Sequence, residues 1–194
     1  MDPGDEQLWK AAAAGDHAAF RVLAQRHTPA IFRVALSRCG NRADAEDACQ
    51  ETLIAAFGAI RKFDGRSSVK TWLMRIAIRR SARVWQGRRK AARTHSLDGG
   101  GAADGDGAGN GGAWAGELAV PAATAASDQR SDIMQMIRTL PPEFRDTVIL
   151  REIEGFSYQE IAEMLAVPCG TVQSRLHRAR AELRRRLAAY APDP

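Results

Sequence analysis

The chain has 194 residues, 45% of them hydrophobic and 26% charged, with a net charge of +5 at pH 7. That balance belongs to a globular protein and not to a disordered or fibrous one, and no apolar run approaches the roughly 20 residues of a membrane span. The four alanines after Lys10 are too short and too polar a stretch for a signal peptide, so a cytoplasmic location with no membrane insertion is expected.

Cys39, Cys49 and Cys169 form no CxxC pair, which predicts small buried thiols and neither a disulfide framework nor a zinc site; no metal and no cofactor are expected. Charge is unevenly spread. Residues 1–93 hold 18 Lys and Arg against 9 Asp and Glu, residues 94–131 hold 1 against 5, and residues 132–194 hold 9 of each. In the last stretch the acids fall mostly before Glu163 and the arginines after Gly170. Two separate basic surfaces suggest a polyanion touched at two places.

In chain order, Asp5 or Asp16 can cap short helices, and Phe20, Leu23, Ala24, Ile31, Ala35 and Leu36 recur near helical spacing. Thr28-Pro29 interrupts that run, predicting either a kinked helix or two helices. Asn41-Arg42 reads as a turn. From Ala43 to Ile60, the residues Ala45, Cys49, Thr52, Leu53, Ala56, Phe57 and Ile60 give a helix with one apolar face. Lys62 to Ser68 is turn chemistry, and Ser68 can cap a helix running to about Arg93. Val69, Trp72, Leu73, Ile76 and Ala77 form its core stripe, while Lys70, Arg75, Arg79, Arg83, Arg88, Arg89 and Lys90 leave much of the remainder cationic.

Between Ser96 and Ala126, Gly, Ala and Asp dominate and apolar periodicity is lost. A structureless loop of that length is improbable inside one domain. The expectation is therefore an all-α protein of two small helical domains, residues 1–95 and 131–190, joined by a flexible Gly/Ala-rich linker, residues 96–130. Trp114 is the odd residue of that linker, either incidental or an anchor for a partner.

The second domain is sharply punctuated. A helix from near Asp132 is stopped by Pro141-Pro142, Pro142 opens a helix to about Glu154, and Gly155 ends it. Ser157-Tyr158-Gln159-Glu160 is a capping box that starts a helix reaching Leu165. After a tight turn through Ala166 and Val167, Pro168 opens the last helix, with Val172, Leu176, Ala179, Leu183 and Leu187 as one buried stripe. Gln173, Ser174, His177, Arg178 and Arg184 lie opposite, flanked by Arg175 and Arg186. A short helix, a turn and a second helix that presents amide, hydroxyl, imidazole and guanidinium groups is a helix-turn-helix suited to the major groove of DNA.

With those residues in view, the chain resembles a bacterial RNA polymerase sigma factor of the extracytoplasmic-function (ECF) group, sigma-70 family. Region 4 is matched by Leu140-Pro141-Pro142-Glu143-Phe144-Arg145, by Gly155 through Ala162, and by Gly170 through Arg180. Region 2 is matched by Asp44-Ala45-Glu46-Asp47, Gln50-Glu51-Thr52, Phe63 through Ser68, and Thr71-Trp72-Leu73. The resemblance implies a dissociable subunit that directs RNA polymerase core to promoters, in response to a stress or envelope signal. It implies minus-thirty-five contacts from Thr171, Gln173, Ser174, Arg175, His177 and Arg178. Minus-ten reading and melting fall on Phe63, Asp64, Gly65, Arg66, Ser67, Ser68, Lys70 and Trp72, with Arg75 and Arg79 on the backbone; Trp72 also lies on the core stripe. Asp44, Glu46, Asp47, Gln50 and Glu51 would dock on the clamp helices of the polymerase's largest subunit, with the flap as a second contact and an anti-sigma factor as a further partner.

Three departures from the family pattern stand out: Ala48-Cys49 in place of larger aliphatics, Ile78-Arg79-Arg80 in place of Ala-Arg-Asn, and a long Gly-rich linker. The competing readings are a stand-alone helix-turn-helix regulator, which needs no acidic docking helix, and a sigma-like decoy that binds an anti-sigma protein, which needs no basic reader. An enzyme is not expected, since His17, His27, His95 and His177 are scattered and no phosphate loop or metal-ligand spacing occurs.

Overall fold

The computed structural model describes residues 3–95 and 134–190. The linker and Trp114 lie outside the described residues. Among the described residues every regular element is helical: α1 Asp5–Ala13, α2 His17–Cys39, α3 Arg42–Ala59, a 3-10 turn Ile60–Lys62, α4 Val69–His95, a short α5 over 134–138, α6 Pro142–Val148 continuing as a π turn Ile149–Ile153, α7 Tyr158–Leu165 and α8 Cys169–Tyr190. No helix among them is long and apolar enough to cross a membrane.

Helix α2 is one continuous helix through Pro29. The hydroxyl of Thr28 donates to the carbonyl of Ala24 at 2.7 Å, and both neighbours of Pro29 are buried, so packing holds the turn that proline weakens. Asp16 caps α2 by accepting from the amides of Ala18 and Ala19. Asp5 caps nothing. It sits in the first turn of α1, pairs with Arg26 at 2.6 Å and meets His27 Nε2 at 2.7 Å, which ties α1 to α2. Asn41 is the cap of α3, its side chain accepting from the Asp44 amide.

The N-terminal core is where α2, α3 and α4 meet: Leu23, Ile31, Thr52, Leu53, Leu73 and Ala77 are all under 5% exposed. Ala48 and Cys49, both fully buried, let α3 lie close against its neighbours. The C-terminal core gathers Leu140, Val148, Leu150, Phe156, Ile161, Val172, Leu176 and Ala179. Leu183 is half-buried, but Leu187 at 48% exposed leaves the predicted stripe.

One continuous buried cluster joins both groups. The reason is visible on α4, which has a second inward stripe. Thr71, Met74, Ile78 and Ser81 are buried at i, i+3, i+7 and i+10; the Thr71 hydroxyl reaches Glu160 and Ile78 lies against Ile149 and Leu150, so the stripe meets the C-terminal helices, while the Ser81 carbonyl faces the Cys39 thiol of α2.

Two backbone details shape the C-terminal group. In the π turn, the Glu154 amide bonds the Ile149 carbonyl at 3.0 Å and the Phe156 amide reaches Leu150, and Gly155 at φ +78° then turns the chain. Ala166, at φ +53°, is the only non-glycine in the left-handed region among the described residues, and it makes the tight corner between α7 and α8. A Cβ there is unfavourable by about 1 kcal/mol. Ala166→Gly is therefore expected to raise stability by about 0.5–1 kcal/mol in denaturant titration, where an ordinary helix-interior Ala→Gly change lowers it by a similar amount.

The thiols are sorted by burial. Burial pushes Cys49 up to about 12 and Cys39 up to about 11, whereas Cys169 is half-exposed at the start of α8. Native protein at pH 7.5 should titrate with one equivalent of a disulfide reagent at Cys169, the other two thiols reacting only after unfolding. Rapid labelling of Cys49 in the folded chain would contradict this.

Candidate nucleic-acid interface

The helix-turn-helix is built from its caps outward. The Ser157 hydroxyl accepts from the Glu160 amide, and the Glu160 carboxylate accepts from the Ser157 amide at 2.9 Å, so both ends of the box are closed. Burial pushes the Glu160 carboxyl upward, but the hydrogen bonds from Ser157 and Thr71 hold it below its ordinary value. The box therefore stabilises the fold above the usual glutamate range and loses that contribution as pH falls below it.

Pro168 offers its carbonyl to the amides of Thr171 and Val172, which starts α8 immediately after the corner. Val172, Leu176 and Ala179 then lock α8 against α6 and α7. That anchoring leaves Gln173, Ser174, His177 and Arg178 exposed on the opposite face, while Thr171 and Arg175 are half-buried at its edges. Arg175 lies in the field of Asp146.

Further along α8 the cations are occupied. Arg180 meets Glu152 at 2.5 Å, and Arg185 and Arg186 share Glu182, whose carboxyl their hydrogen bonds bring down to about 2. Arg178 makes no ion pair with any described residue, so its guanidinium remains available to a base edge or a phosphate.

The second cationic face is the loop before α4. Asp64 accepts from the Arg66 amide at 3.1 Å, and Gly65 takes φ +73° directly over Trp9, where a Cβ would stand 3.6 Å from that ring. Asp64, Gly65, Arg66 and Ser68 are exposed, Ser67 is half-exposed, and Arg79 is exposed further along α4. Ser68 caps α4 by accepting from the Thr71 amide at 3.0 Å.

Phe63 is not part of that open surface. It is 7% exposed, met edge-on by Trp9 at 5.2 Å and by the tilted ring of Trp72 at 5.0 Å. Trp72 is half-buried against the core, which agrees with its place on the core stripe. These two rings form the floor of the loop.

Lys70 and Arg75 are engaged from across the molecule. Lys70 donates to the Glu154 carbonyl at 2.8 Å, meets the Glu154 carboxylate at 3.1 Å and lies 4.9 Å over the Phe156 ring. Arg75 pairs with Glu163, and the Thr71 hydroxyl donates to Glu160 at 2.9 Å. The sequence reading contained none of these partners. Glu154 and its second cation Arg33 are 121 residues apart in the chain, and no local pattern links them.

On α3, Asp47 and Gln50 are exposed, Glu46 pairs with Arg42 at 2.6 Å, and Glu51 lies 3.8 Å from Arg80. Asp44 is 3% exposed and is held by the Asn41 side-chain amide at 2.6 Å, so it serves the helix start. Ile54, 58% exposed one turn beyond Gln50 and Glu51, belongs to this acidic face and escaped the sequence reading. The signal for it was an isoleucine standing off the buried stripe.

Family models match the chain twice, as "Sigma-70 region 2" over residues 23–92 and as "Sigma-70, region 4" over residues 130–183. The ECF RNA polymerase sigma factor SigE of Mycolicibacterium smegmatis is 33% identical over 212 residues, spanning 100% of this chain and 73% of that protein. The ECF RNA polymerase sigma-E factor of Escherichia coli K12 is 33% identical over 185 residues, spanning 91% and 90%. Among solved structures, CnrH in complex with the cytosolic domain of CnrY superposes with a TM-score of 0.66 at 26% identity, covering 96% of this chain and 99% of that one. The sigma factor RpoE of Bartonella quintana, in complex with the anti-sigma factor NepR, gives 0.63 at 26% identity, covering 87% and 96%.

If Phe63 is the floor of the loop, Phe63→Ala should cost about 3–5 kcal/mol in denaturant unfolding. A loss below about 1 kcal/mol would mark the ring as a surface group.

Proposed function

The chain belongs to the ECF group of the sigma-70 family, and from that premise we propose how its residues divide the reading of a promoter. It is a sigma subunit, a non-enzymatic initiation factor that directs RNA polymerase to promoter DNA. The division of the chain is proposed as residues 1–95 for region 2, 96–130 for the linker and 131–190 for region 4.

The observation that carries the assignment is the exposed face of α8, where Gln173, Ser174, His177 and Arg178 stand clear of the core with the Arg178 charge unspent. This is the minus-thirty-five reader, with Thr171 and Arg175 at its edges. Amide and guanidinium groups at that spacing match adenine and guanine edges in a major groove.

The minus-ten reader is the exposed loop Asp64 to Ser68 with Lys70, Arg75 and Arg79, supported from beneath by Phe63 and Trp72. A separated strand needs cations and a platform, and this corner has both. Glu46, Asp47, Gln50 and Glu51, with Ile54 as an apolar centre, form the docking face for the polymerase clamp helices. A few apolar contacts ringed by charge are the usual make-up of a protein interface. An anti-sigma protein is proposed as the cytoplasmic regulator, supported by the relative solved with NepR.

Run-off transcription from a promoter library, with and without core polymerase, tests the reading. Core-dependent products from a defined set of promoters are expected. Specific duplex binding by the free chain with no core-dependent transcript would replace the reading by that of an ordinary regulator. Arg178→Ala should weaken binding by about 1–3 kcal/mol at particular minus-thirty-five bases. A uniform loss across sequences would instead make Arg178 a phosphate contact.

A further inference from the structure

We propose that Trp9 is a positioning residue for the minus-ten reader: α1 lies against the loop Asp64 to Ser68, and its indole holds that loop in the shape that distinguishes bases. The inference rests on the assignment of that loop to the minus-ten strand.

Short-range bonds turn the loop. The Phe63 amide donates to the Ile60 carbonyl at 3.2 Å, the Arg66 amide to the Asp64 carboxylate at 3.1 Å and, at the far end, the Thr71 amide to the Ser68 hydroxyl at 3.0 Å. Between them Gly65 takes φ +73°, a conformation that glycine enters and leaves at little steric cost, so the bend needs a neighbour to fix it. Trp9 is that neighbour. Its ring meets Phe63 at 5.2 Å, and its Cζ2 lies 3.6 Å from where a Cβ on Gly65 would stand, so one indole backs both the entry and the bend of the loop.

Helix α1 is itself placed by contacts from elsewhere. It has nine residues, and its N-cap Gly4 offers no side chain to the first amides. A helix of that length is marginal alone. At its start, Arg26 of α2 donates to the Asp5 carboxylate at 2.6 Å and to the Pro3 carbonyl at 3.1 Å, and Asp5 also meets His27 at 2.7 Å. Leu8 and Ala12 are buried in the core. Past its end, a Cβ on Gly15 would stand 3.9 Å from the Arg61 guanidinium, which belongs to the 3-10 turn that leads into the loop. Asp5 and Trp9 are four residues apart, so the anchor on α2 and the contact on the loop share one strip of the helix. A shift of α1 therefore moves the loop.

The consequence falls on specificity more than on affinity. Cations along the loop and α4 attract any strand through its phosphates, whereas the shape of the loop decides which bases fit. A loop that must be ordered afresh at each encounter loses binding energy on the bases and keeps what the phosphates supply.

The test uses the full chain bound to core polymerase and two forked DNA probes that differ only in the single-stranded minus-ten segment. One carries the segment of a promoter found by run-off transcription, the other the same bases scrambled. Fluorescence anisotropy gives the ratio of the two affinities. Trp9→Ala should lower that ratio about tenfold, the effect of ordering roughly one backbone residue afresh, with affinity for the scrambled probe and its salt dependence unchanged. Trp9→Phe should recover most of the ratio. Asp5→Asn, which loosens α1 at its contact with α2, should lower the ratio about twofold to threefold, as suits a partly exposed ion pair. Lys10→Gln, on the solvent face of α1 where Lys10 meets Glu6, should leave it as it is.

A fall in affinity for both probes together, with the ratio unchanged, would make Trp9 a packing residue and overturn the proposal. A loss in Trp9→Ala with Asp5→Asn at the wild-type ratio would make the indole a direct strand contact and overturn it as well, as would an equal loss from Lys10→Gln. A wild-type complex that does not distinguish the two probes would overturn the minus-ten assignment of the loop, and the positioning role with it.

Discussion

Glu154 is a carboxylate almost withdrawn from water, its side chain 2% exposed, at the point where the C-terminal helices meet α2 and α4. Burying one such ion costs several kcal/mol unless charge and hydrogen bonds replace its hydration. Arg33 and Lys70 supply both, one from each N-terminal helix. The arrangement of the molecule follows from this demand. The π turn carries the Glu154 side chain into the seam, Gly155 redirects the chain, and Ser157 opens α7 with its own carboxylate partner. A strong charge pair at low dielectric defines one docking geometry more sharply than apolar contact alone, because a displaced carboxylate loses both of its cations together.

The same chemistry separates the arginines of α8 into two groups. Arg180, Arg185 and Arg186 are engaged by Glu152 and Glu182. Arg178, on the exposed face of α8, lacks a carboxylate partner among the described residues. A reader of base edges gains most when its guanidinium is held by the helix yet not discharged by the protein, since any internal partner must be given up before a guanine is met. The rigidity comes from Val172, Leu176 and Ala179 below and from the left-handed corner at Ala166, which together fix the angle at which α8 leaves α7.

Local chemistry was legible in the sequence because it depends on near neighbours. The capping box at Ser157, the break at Gly155, the Ser68 cap and the apolar faces of α3 and α8 need only spacing and residue type. Phe63 and Asp44 were harder. Their motif positions mark them for a surface role, yet Trp9 and Asn41 claim them for packing and capping. The closed seam was illegible, because Arg33 and Glu154, or Arg38 and Asp146, are separated by more than 100 residues and paired charges carry no periodicity. One trace did exist. Thr71, Met74, Ile78 and Ser81 give α4 a second inward stripe, and a helix with two buried faces must have two neighbours.

That second stripe also sets the charge at the corner between α4 and α7. A basic face left open binds any polyanion, and genomic DNA presents non-specific sites in large excess over promoters. In this packing Lys70 and Arg75 are spent on Glu154 and Glu163, so the positive charge that the corner presents to solvent is lower than its count of lysines and arginines.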